Sequence, residues 1–176
     1  MANAKWTVDP AHSSIDFSIK HMMVTTVRGQ FTAFTADVNA DPENLADADI
    51  NFTIDTASVD TRNADRDNHL RSGDFFDAEK YPTMTFKSTK IEAKGGNEYA
   101  ITGDLTIRDV THPATFDVTY EGTYKDPWGN QKAGFTGETK ISRKDWNLSW
   151  NVALEAGGVL VSDQVKISFD IQATQA

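Results

Sequence analysis

Residues 62–86, RNADRDNHLRSGDFFDAEKYPTMTF, interrupt a chain that otherwise alternates polar and apolar residues in the two-residue repeat of β-strands. Asn63 is a good helix N-cap, because its side-chain oxygen can accept a hydrogen bond from a free N–H group of the first turn. Gly73 is placed to end the helix, because glycine tolerates the left-handed conformation found after many helices. The stretch therefore predicts one short helix inside an otherwise β-rich chain.

Charged residues on this helix are spaced four apart, with the acid first. This spacing predicts the ion pairs Asp65–His69 and Asp67–Arg71, and it places two acids in the first turn, where they favour the helix dipole. The segment has too little apolar surface to be stable alone. We therefore predict a lid or plug that leans on the rest of the chain through its three large apolar side chains: Leu70, Phe75 and Phe76.

The flanking sequence predicts about eight main strands, joined mostly by short turns such as KGGN at 94–97 and DPWGN at 126–130. The alternation changes phase near Ala33, which predicts a β-bulge in a long strand. The pair Gly157-Gly158 predicts a hinge before the last strand. An extended antiparallel meander closed into a β-barrel removes exposed sheet edges. The competing architecture is an immunoglobulin-like sandwich, which long strands and the absence of a Cys…Trp…Cys pattern disfavour.

Composition limits the class of protein further. The chain has 176 residues with 39% hydrophobic content, which predicts a single domain over 1–176. There is no cysteine, and the formal net charge is −9 without a basic stripe, which argues against thiolate chemistry and nucleic-acid binding. The sequence has neither an export signal nor a run of about 18 apolar residues. We expect a soluble, cytoplasmic protein without stable membrane insertion.

The predicted inner wall mixes very large and very small residues. Several strands can reach about 10–13 residues, longer than the usual mean of about 5–6, so the barrel would be tall. Its inner face carries both phenylalanines and glycines, and glycines there either ease a bend or leave space. We predict an apolar tunnel that suits an unbranched or isoprenoid hydrocarbon tail; a filled barrel is the alternative. The inward glycines are Gly29, Gly103, Gly122 and Gly137.

The candidate ligand-binding residues follow from this wall. His21 continues the inward alternation of its strand and could fix a polar headgroup, Arg28 lies nearby on the next strand, and Trp146 could shape the opening. Arg66 and His69 on the lid are further headgroup candidates. The full predicted set is Phe17, Ile19, His21, Arg28, Phe31, Phe52, Phe86, Leu105, Phe116, Phe135, Trp146 and Phe169.

Catalytic and metal-binding motifs are missing from the sequence. The four histidines, at 12, 21, 69 and 112, are never three or four residues apart, and no HExxH, GxSxG, P-loop or GxGxxG motif occurs. We predict a non-enzyme with no metal and no cofactor. Two alternatives stay open: an enzyme that uses His21 and a lid acid, and an interaction module. In the second, an outer barrel face would pair two protomers as a homodimer, which is compatible with lipid carriage.

Seven motifs, in order along nearly the whole chain, resemble the YceI-like family of lipid- and polyisoprenoid-binding proteins. They are DPAHSSIDF at 9–17, KHM at 20–22, VRGQF at 27–31, RDNHL at 66–70, DFFD at 74–77, YPTMTF at 81–86 and GDLTI at 103–107. The resemblance implies a lipocalin-like barrel whose tunnel holds an isoprenoid, a quinone or another long-chain lipid, for transport or storage. Family members are commonly exported.

Two departures from the family pattern bear on ligand choice. Glycine usually follows the arginine where this chain has Arg108-Asp109, and Phe-Gly usually stands where this chain has Trp146-Asn147. The second change predicts a bulkier ring near the tunnel opening.

Overall fold

The computed structural model describes residues 3–152, 154 and 160–176, so the predicted hinge at Gly157-Gly158 lies outside the described residues. The described chain is built mainly from β-strands. The strands are β1 (Ala4–Val8), β2 (Ser14–His21), β3 (Thr25–Phe31), β4 (Phe34–Asp41), β5 (Asn44–Asp55), β6 (Val59–Asp60), β7 (Thr83–Gly95), β8 (Glu98–Ile107), β9 (Val110–Lys125), β10 (Gln131–Ser142) and β11 (Val161–Gln175). The α-helix is α1 (Ala64–Arg71), and the 3-10 helices are Pro10–His12, Thr56–Ser58 and Arg143–Trp146.

Three long strands are each interrupted once, so the eleven strands make an eight-stranded wall. β1 pairs with β4, and β2 pairs with β3. β1 and β2 are therefore the two halves of one bent strand, and so are β3 and β4. β5 and β6 likewise pair with β4 and β3. Every neighbouring pair is antiparallel, and β11 returns to β1 through the register Trp6↔Gln175. The predicted eight-stranded closed antiparallel barrel is confirmed, and the sandwich alternative is wrong.

The interruption between β3 and β4 falls where the sequence changes phase. Thr32 and Ala33 leave the strand ladder, and their backbone groups bond the neighbouring bent strand instead: Thr32 N–H donates to the Ser58 carbonyl at 3.2 Å, and Asp55 N–H donates to the Ala33 carbonyl at 2.9 Å. The break thus lets the strand bend while these backbone groups stay hydrogen-bonded.

Strand length gives the barrel its height. β9 has 16 residues and β11 has 15, against a usual mean of about 5–6. Because the strands form a meander, the connections alternate between the two ends of the barrel. We call one end the lid end; it carries the β2–β3 turn, α1, the β8–β9 turn and the β10–β11 connection. The other end, which we call the closed end, carries the β4–β5, β7–β8 and β9–β10 turns.

Candidate functional site

A cavity of about 580 Å³ runs inside the barrel, within the range of about 300–1,000 Å³ usual for ligand pockets. Inward-facing side chains of every long strand contribute to it, for example Phe17 from β2, Phe52 from β5 and Phe169 from β11. The great majority of the lining side chains are apolar. A site of this kind favours a hydrocarbon chain, because it offers few partners for polar groups.

The closed end is sealed by buried residues. Trp6, Ala40 and Leu45 each line the cavity and are each only 2% exposed. The indole of Trp6 donates a hydrogen bond to the Ala40 carbonyl oxygen at 3.1 Å, which holds the ring across this end. At the lid end, in contrast, the lining residues Trp150 and Leu160 are half-buried, and Asp65 is exposed. Among the described residues, the lid end is therefore the more accessible side of the cavity.

The inward glycines do not enlarge the cavity, which corrects our prediction that they leave space. A Cβ atom at Gly29 would lie 2.4 Å from Cζ of Phe17, and one at Gly137 would lie 2.3 Å from Cζ of Phe169. Gly103 is covered in the same way by Phe86. Each of these glycines lets a phenylalanine ring lie flat against the wall. The middle of the barrel stays open because these rings lie close to the sheet.

Gly122 has a different role. Its φ is +121°, a conformation that side chains rarely adopt, and it pairs with Gly134 next to the register shift between β9 and β10. It therefore eases the bend of the sheet, which is the other role that we considered for inward glycines.

The lid prediction agrees with the contacts of α1 and the residues that follow it. Asn63 caps the helix by accepting a hydrogen bond from Arg66 N–H at 3.0 Å. Leu70, Phe75 and Phe76 all line the cavity, and the ring of Phe76 packs edge-on against Phe31 with centroids 5.7 Å apart. The helix ends at Arg71 with Ser72 as its C-cap, before the predicted Gly73.

The predicted pairs Asp65–His69 and Asp67–Arg71 are wrong, because His69 contacts Asp74, and Asp67 and Arg71 bind the segment that precedes α1. Asp67 is buried and accepts hydrogen bonds from the backbone N–H of Thr61 at 2.8 Å and from its hydroxyl at 2.5 Å. Arg71 donates to the carbonyl oxygens of Ala57 and Val59. A buried carboxylate needs hydrogen-bond donors. The backbone N–H of Thr61, next to β6, costs less free energy to hold in position than a flexible arginine side chain. These bonds fix α1 over the cavity.

Polar groups line the cavity at the lid end. His69 contacts the Asp74 carboxylate through Nε2 at 2.9 Å, and its ring packs edge-on against Trp150 with centroids 4.7 Å apart. The guanidinium of Arg66 donates hydrogen bonds to the hydroxyl oxygen and to the carbonyl oxygen of Thr61, both at 2.7 Å. Further polar residues that line the cavity at this end are Lys20, His21, Asp65 and Arg143.

Arg143 is a buried cation with a structural set of partners. Its side chain is 3% exposed, and its guanidinium donates to three carbonyl oxygens, those of Leu148, Val161 and Ser162. Burial lowers the pKa of Arg143, and the charge of Asp163 partly opposes that shift. Because its donors are used on the backbone, Arg143 ties the segment after β10 to the start of β11.

The structure brings ten of the twelve predicted ligand-binding residues to the cavity wall. These ten are Phe17, Ile19, His21, Phe31, Phe52, Phe86, Leu105, Phe116, Phe135 and Phe169. Arg28 lies elsewhere, exposed on the outer face, because it alternates with the inward Val27 and Gly29. Trp146 is also off the wall: it is 2% exposed, and its indole donates to the Leu105 carbonyl at 2.8 Å.

The sequence Trp146-Asn147 has a local explanation. Asn147 has a φ of 61° at the C-terminus of the 3-10 helix Arg143–Trp146. Asparagine tolerates this left-handed conformation better than most residues, which accounts for its presence where the family usually has glycine. Since Trp146 is buried, its ring does not narrow the opening as we predicted.

Other lining residues escaped the sequence analysis. Ile54, Ile101 and Val118 could have been found by extending the strand alternation. Leu148, Trp150 and Leu160 lie outside the regular strands, where no periodicity says which way a side chain points.

Two further observations concern the kind of site. The described part of the chain holds no group of three or more His, Asp or Glu side chains that could bind a metal ion. Among the same residues, no helix is both long enough and apolar enough to cross a membrane.

Comparisons with known proteins agree with this architecture. The model of the family described as the YceI-like domain matches residues 6–173. A UPF0312 protein of Vibrio parahaemolyticus is 44% identical over 138 residues, which are 78% of this chain and 73% of the relative. The crystal structure of BcnA from Burkholderia cenocepacia superposes with a TM-score of 0.80 at 32% identity, covering 94% of this chain and 98% of BcnA.

A more distant structure shares the fold. It is a polyisoprenoid binding domain from Saccharophagus degradans, implicated in plant cell wall breakdown. It superposes with a TM-score of 0.74 at 13% identity, covering 98% of this chain and 99% of that domain.

Proposed function

Because this chain belongs to the YceI-like family, we propose that it binds a long-chain apolar lipid in the barrel cavity and carries or stores it without chemical change. The ligand that we favour is a polyisoprenoid or an isoprenoid quinone. The observation that carries the proposal is the apolar cavity of about 580 Å³, sealed at one end by Trp6, Ala40 and Leu45.

The chemistry of the wall supports a hydrocarbon ligand. Each methylene group transferred from water to such a wall contributes about 0.8 kcal/mol, so a tail of several isoprene units can offset the cost of ordering it. The polyisoprenoid binding domain of Saccharophagus degradans has the same fold and supports the choice of an isoprenoid.

The distribution of polar residues supports one orientation of the ligand. His21 and His69 line the cavity at the lid end, and the closed end is lined by apolar residues. We therefore propose that the tail points to the closed end and that the headgroup lies under α1, close to these two imidazoles.

The test is to extract purified protein with organic solvent and to identify the extracted lipid by mass spectrometry, alongside native mass spectrometry of the intact complex. We expect one apolar lipid class at up to one molecule per chain. Protein that is purified without lipid, and that also fails to take up an added isoprenoid quinone or polyprenol, would contradict the proposal.

The enzyme alternative is separated from binding by one variant. If His21 and a lid acid performed chemistry, His21→Ala would abolish turnover of the bound lipid. We expect His21→Ala to retain binding of the tail, because most of the contact area comes from the apolar wall. Recovery of an unaltered lipid from the wild-type protein supports carriage.

Two properties stay predictions. We propose that the protein works in the cytoplasm, which cell fractionation would test, and that it forms a homodimer, which light scattering at two concentrations would test.

A further inference from the structure

The turn between β2 and β3 exposes three consecutive apolar side chains. Met22 is 49% exposed, Met23 is 63% exposed and Val24 is 78% exposed. We call residues 22–24 the hairpin tip. Scattered apolar side chains are ordinary on protein surfaces, but a contiguous group at the end of a projecting turn indicates a surface that another apolar phase covers.

The backbone of the hairpin tip is also unusual. Met22 and Met23 have φ values of 52° and 62°, both in the left-handed region, where glycine and asparagine are favoured. The turn is closed by Val24 N–H donating to the His21 carbonyl at 3.2 Å. An Asn-Gly pair would serve this turn better, so the two methionines are not explained by the fold.

The hairpin tip lies beside the accessible end of the cavity. His21, which lines the cavity, is its immediate neighbour in the chain. Met22 N–H donates to the Leu160 carbonyl at 2.7 Å, and Leu160 also lines the cavity. Leu160 N–H in turn donates to the carbonyl of Val152, which is 48% exposed. An apolar rim thus continues from the hairpin tip along the opening.

The chain segment that carries the hairpin tip lacks acidic residues. Residues 17–36 contain no acidic residue, although the chain has 26 in total and a net charge of −9. The two charged residues of this segment, Lys20 and Arg28, are both basic and both exposed. On the neighbouring strand β11, Asp163 is paired with Lys144 Nζ at 3.3 Å. Apolar residues flanked by basic ones are typical of segments that lie in a membrane interface.

We propose that the hairpin tip docks reversibly on the surface of a lipid bilayer, so that the cavity opening faces the membrane. Met22, Met23 and Val24 enter the boundary between headgroups and acyl chains, and Lys20 and Arg28 contact lipid phosphates. This inference rests on the proposed function, since its consequence is that apolar cargo passes between bilayer and cavity without crossing water. The occupant that we propose is a bilayer surface, because exposed apolar side chains beside basic ones match acyl chains beside lipid phosphates; a second copy of the chain is an outcome that the test below separates.

The test replaces the hairpin tip by the double substitution Met22→Asn and Met23→Gly. These residues suit the left-handed conformations, so the variant should fold at least as stably as the wild type. We expect the wild type to co-sediment with phosphatidylcholine vesicles that contain a minority of phosphatidylglycerol. We expect the variant to bind these vesicles at least about tenfold more weakly, because it loses the two methionine side chains that would enter the bilayer.

A matched control removes an exposed aromatic residue from the other end of the barrel. Trp128 is 83% exposed in the β9–β10 turn, at the closed end. We expect Trp128→Ser to leave vesicle binding unchanged. Equal weakening by both changes, or wild-type binding that is undetectable, would overturn the proposal, and so would loss of a concentration-dependent dimer in the double variant without loss of vesicle binding.

A second readout separates this proposal from lipid binding itself. Uptake of a polyprenol or quinone from detergent solution measures the cavity alone, and we expect it to be equal in the wild type and the double variant. Transfer of the same lipid from vesicles should be several-fold slower in the variant. Equal transfer rates would contradict the docking proposal alone, whereas failure of uptake in both proteins would contradict the proposed function.

Discussion

Gly29, Gly103 and Gly137 show how single residues shape the cavity. Each lacks the Cβ atom that would collide with a phenylalanine ring on a neighbouring strand, at 2.3–2.4 Å. The ring is therefore able to cover the backbone and to lie along the wall. Glycine at these positions keeps aromatic side chains out of the middle of the barrel. The glycines themselves are covered by the rings and are not the empty space that the sequence had suggested.

Gly137→Ala should push the ring of Phe169 into the cavity, because the new Cβ atom would lie 2.3 Å from Cζ of that ring. Crowding of this kind typically costs about 1–3 kcal/mol of stability. We expect a lower urea midpoint and a smaller or weaker load of extracted lipid, measured as moles of lipid per mole of protein.

The matched control for this change is Gly134→Ala on the same strand. A Cβ atom at Gly134 would have ordinary contact with Glu121, at 3.5 Å, so we expect little change in either measurement. If Gly137→Ala bound as much lipid as Gly134→Ala, the view that these rings define the cavity would be wrong.

At the scale of elements, α1 is held by bonds to the barrel more than by its own sequence. The cap at Asn63 was predictable, because it depends on local spacing. The role of Asp67 was not, because its partner Thr61 becomes available only when the end of β6 lies beside the helix. The two residues are only six positions apart, but they are joined across a turn, and neither the strand period nor the helix period relates them.

Asp67→Ala should loosen the lid, since it leaves the buried N–H and hydroxyl of Thr61 without their acceptor. The loss should be about 1–3 kcal/mol in the free energy of unfolding. Hydrogen exchange should also become faster along α1, while the strands keep their protection.

Asp65→Ala on the same helix serves as the reference, because Asp65 is exposed and Asp67 is buried. We expect a change of less than about 0.5 kcal/mol. Equal effects of the two substitutions would argue that the Asp67–Thr61 bonds do not anchor the helix.

For the whole molecule, the stability of the barrel should depend on its ligand. A ligand that binds the folded state at a hundred times its dissociation constant stabilises that state by about 2.7 kcal/mol, which for a chain of this size raises Tm by roughly 5–10 °C. We expect delipidated protein to melt lower than protein reloaded with a polyprenol. A short alcohol without a tail should have no such effect, and an unchanged Tm on reloading would count against occupancy of the cavity.

The overall architecture was largely predictable, because alternation, turn composition and strand length all indicate the same closed sheet. The wall residues Phe17, Phe52 and Phe169 followed from that alternation. The outward position of Arg28 could also have been predicted, since it alternates with the inward Gly29, whereas the position of Trp146 depends on a segment outside the strands. The sequence alone can therefore assign a strand residue to the inner or outer face, whereas the position of a loop residue requires the structure.

The pairing of β1 with β11 also orders events during synthesis. Trp6 lies opposite Gln175, so the contact that completes the ring joins residues almost the full length of the chain apart. Contacts of such high sequence separation form late and slowly. On the ribosome the nascent sheet must remain an open ribbon until β11 has emerged, and the interior can take up its guest only after translation of that strand.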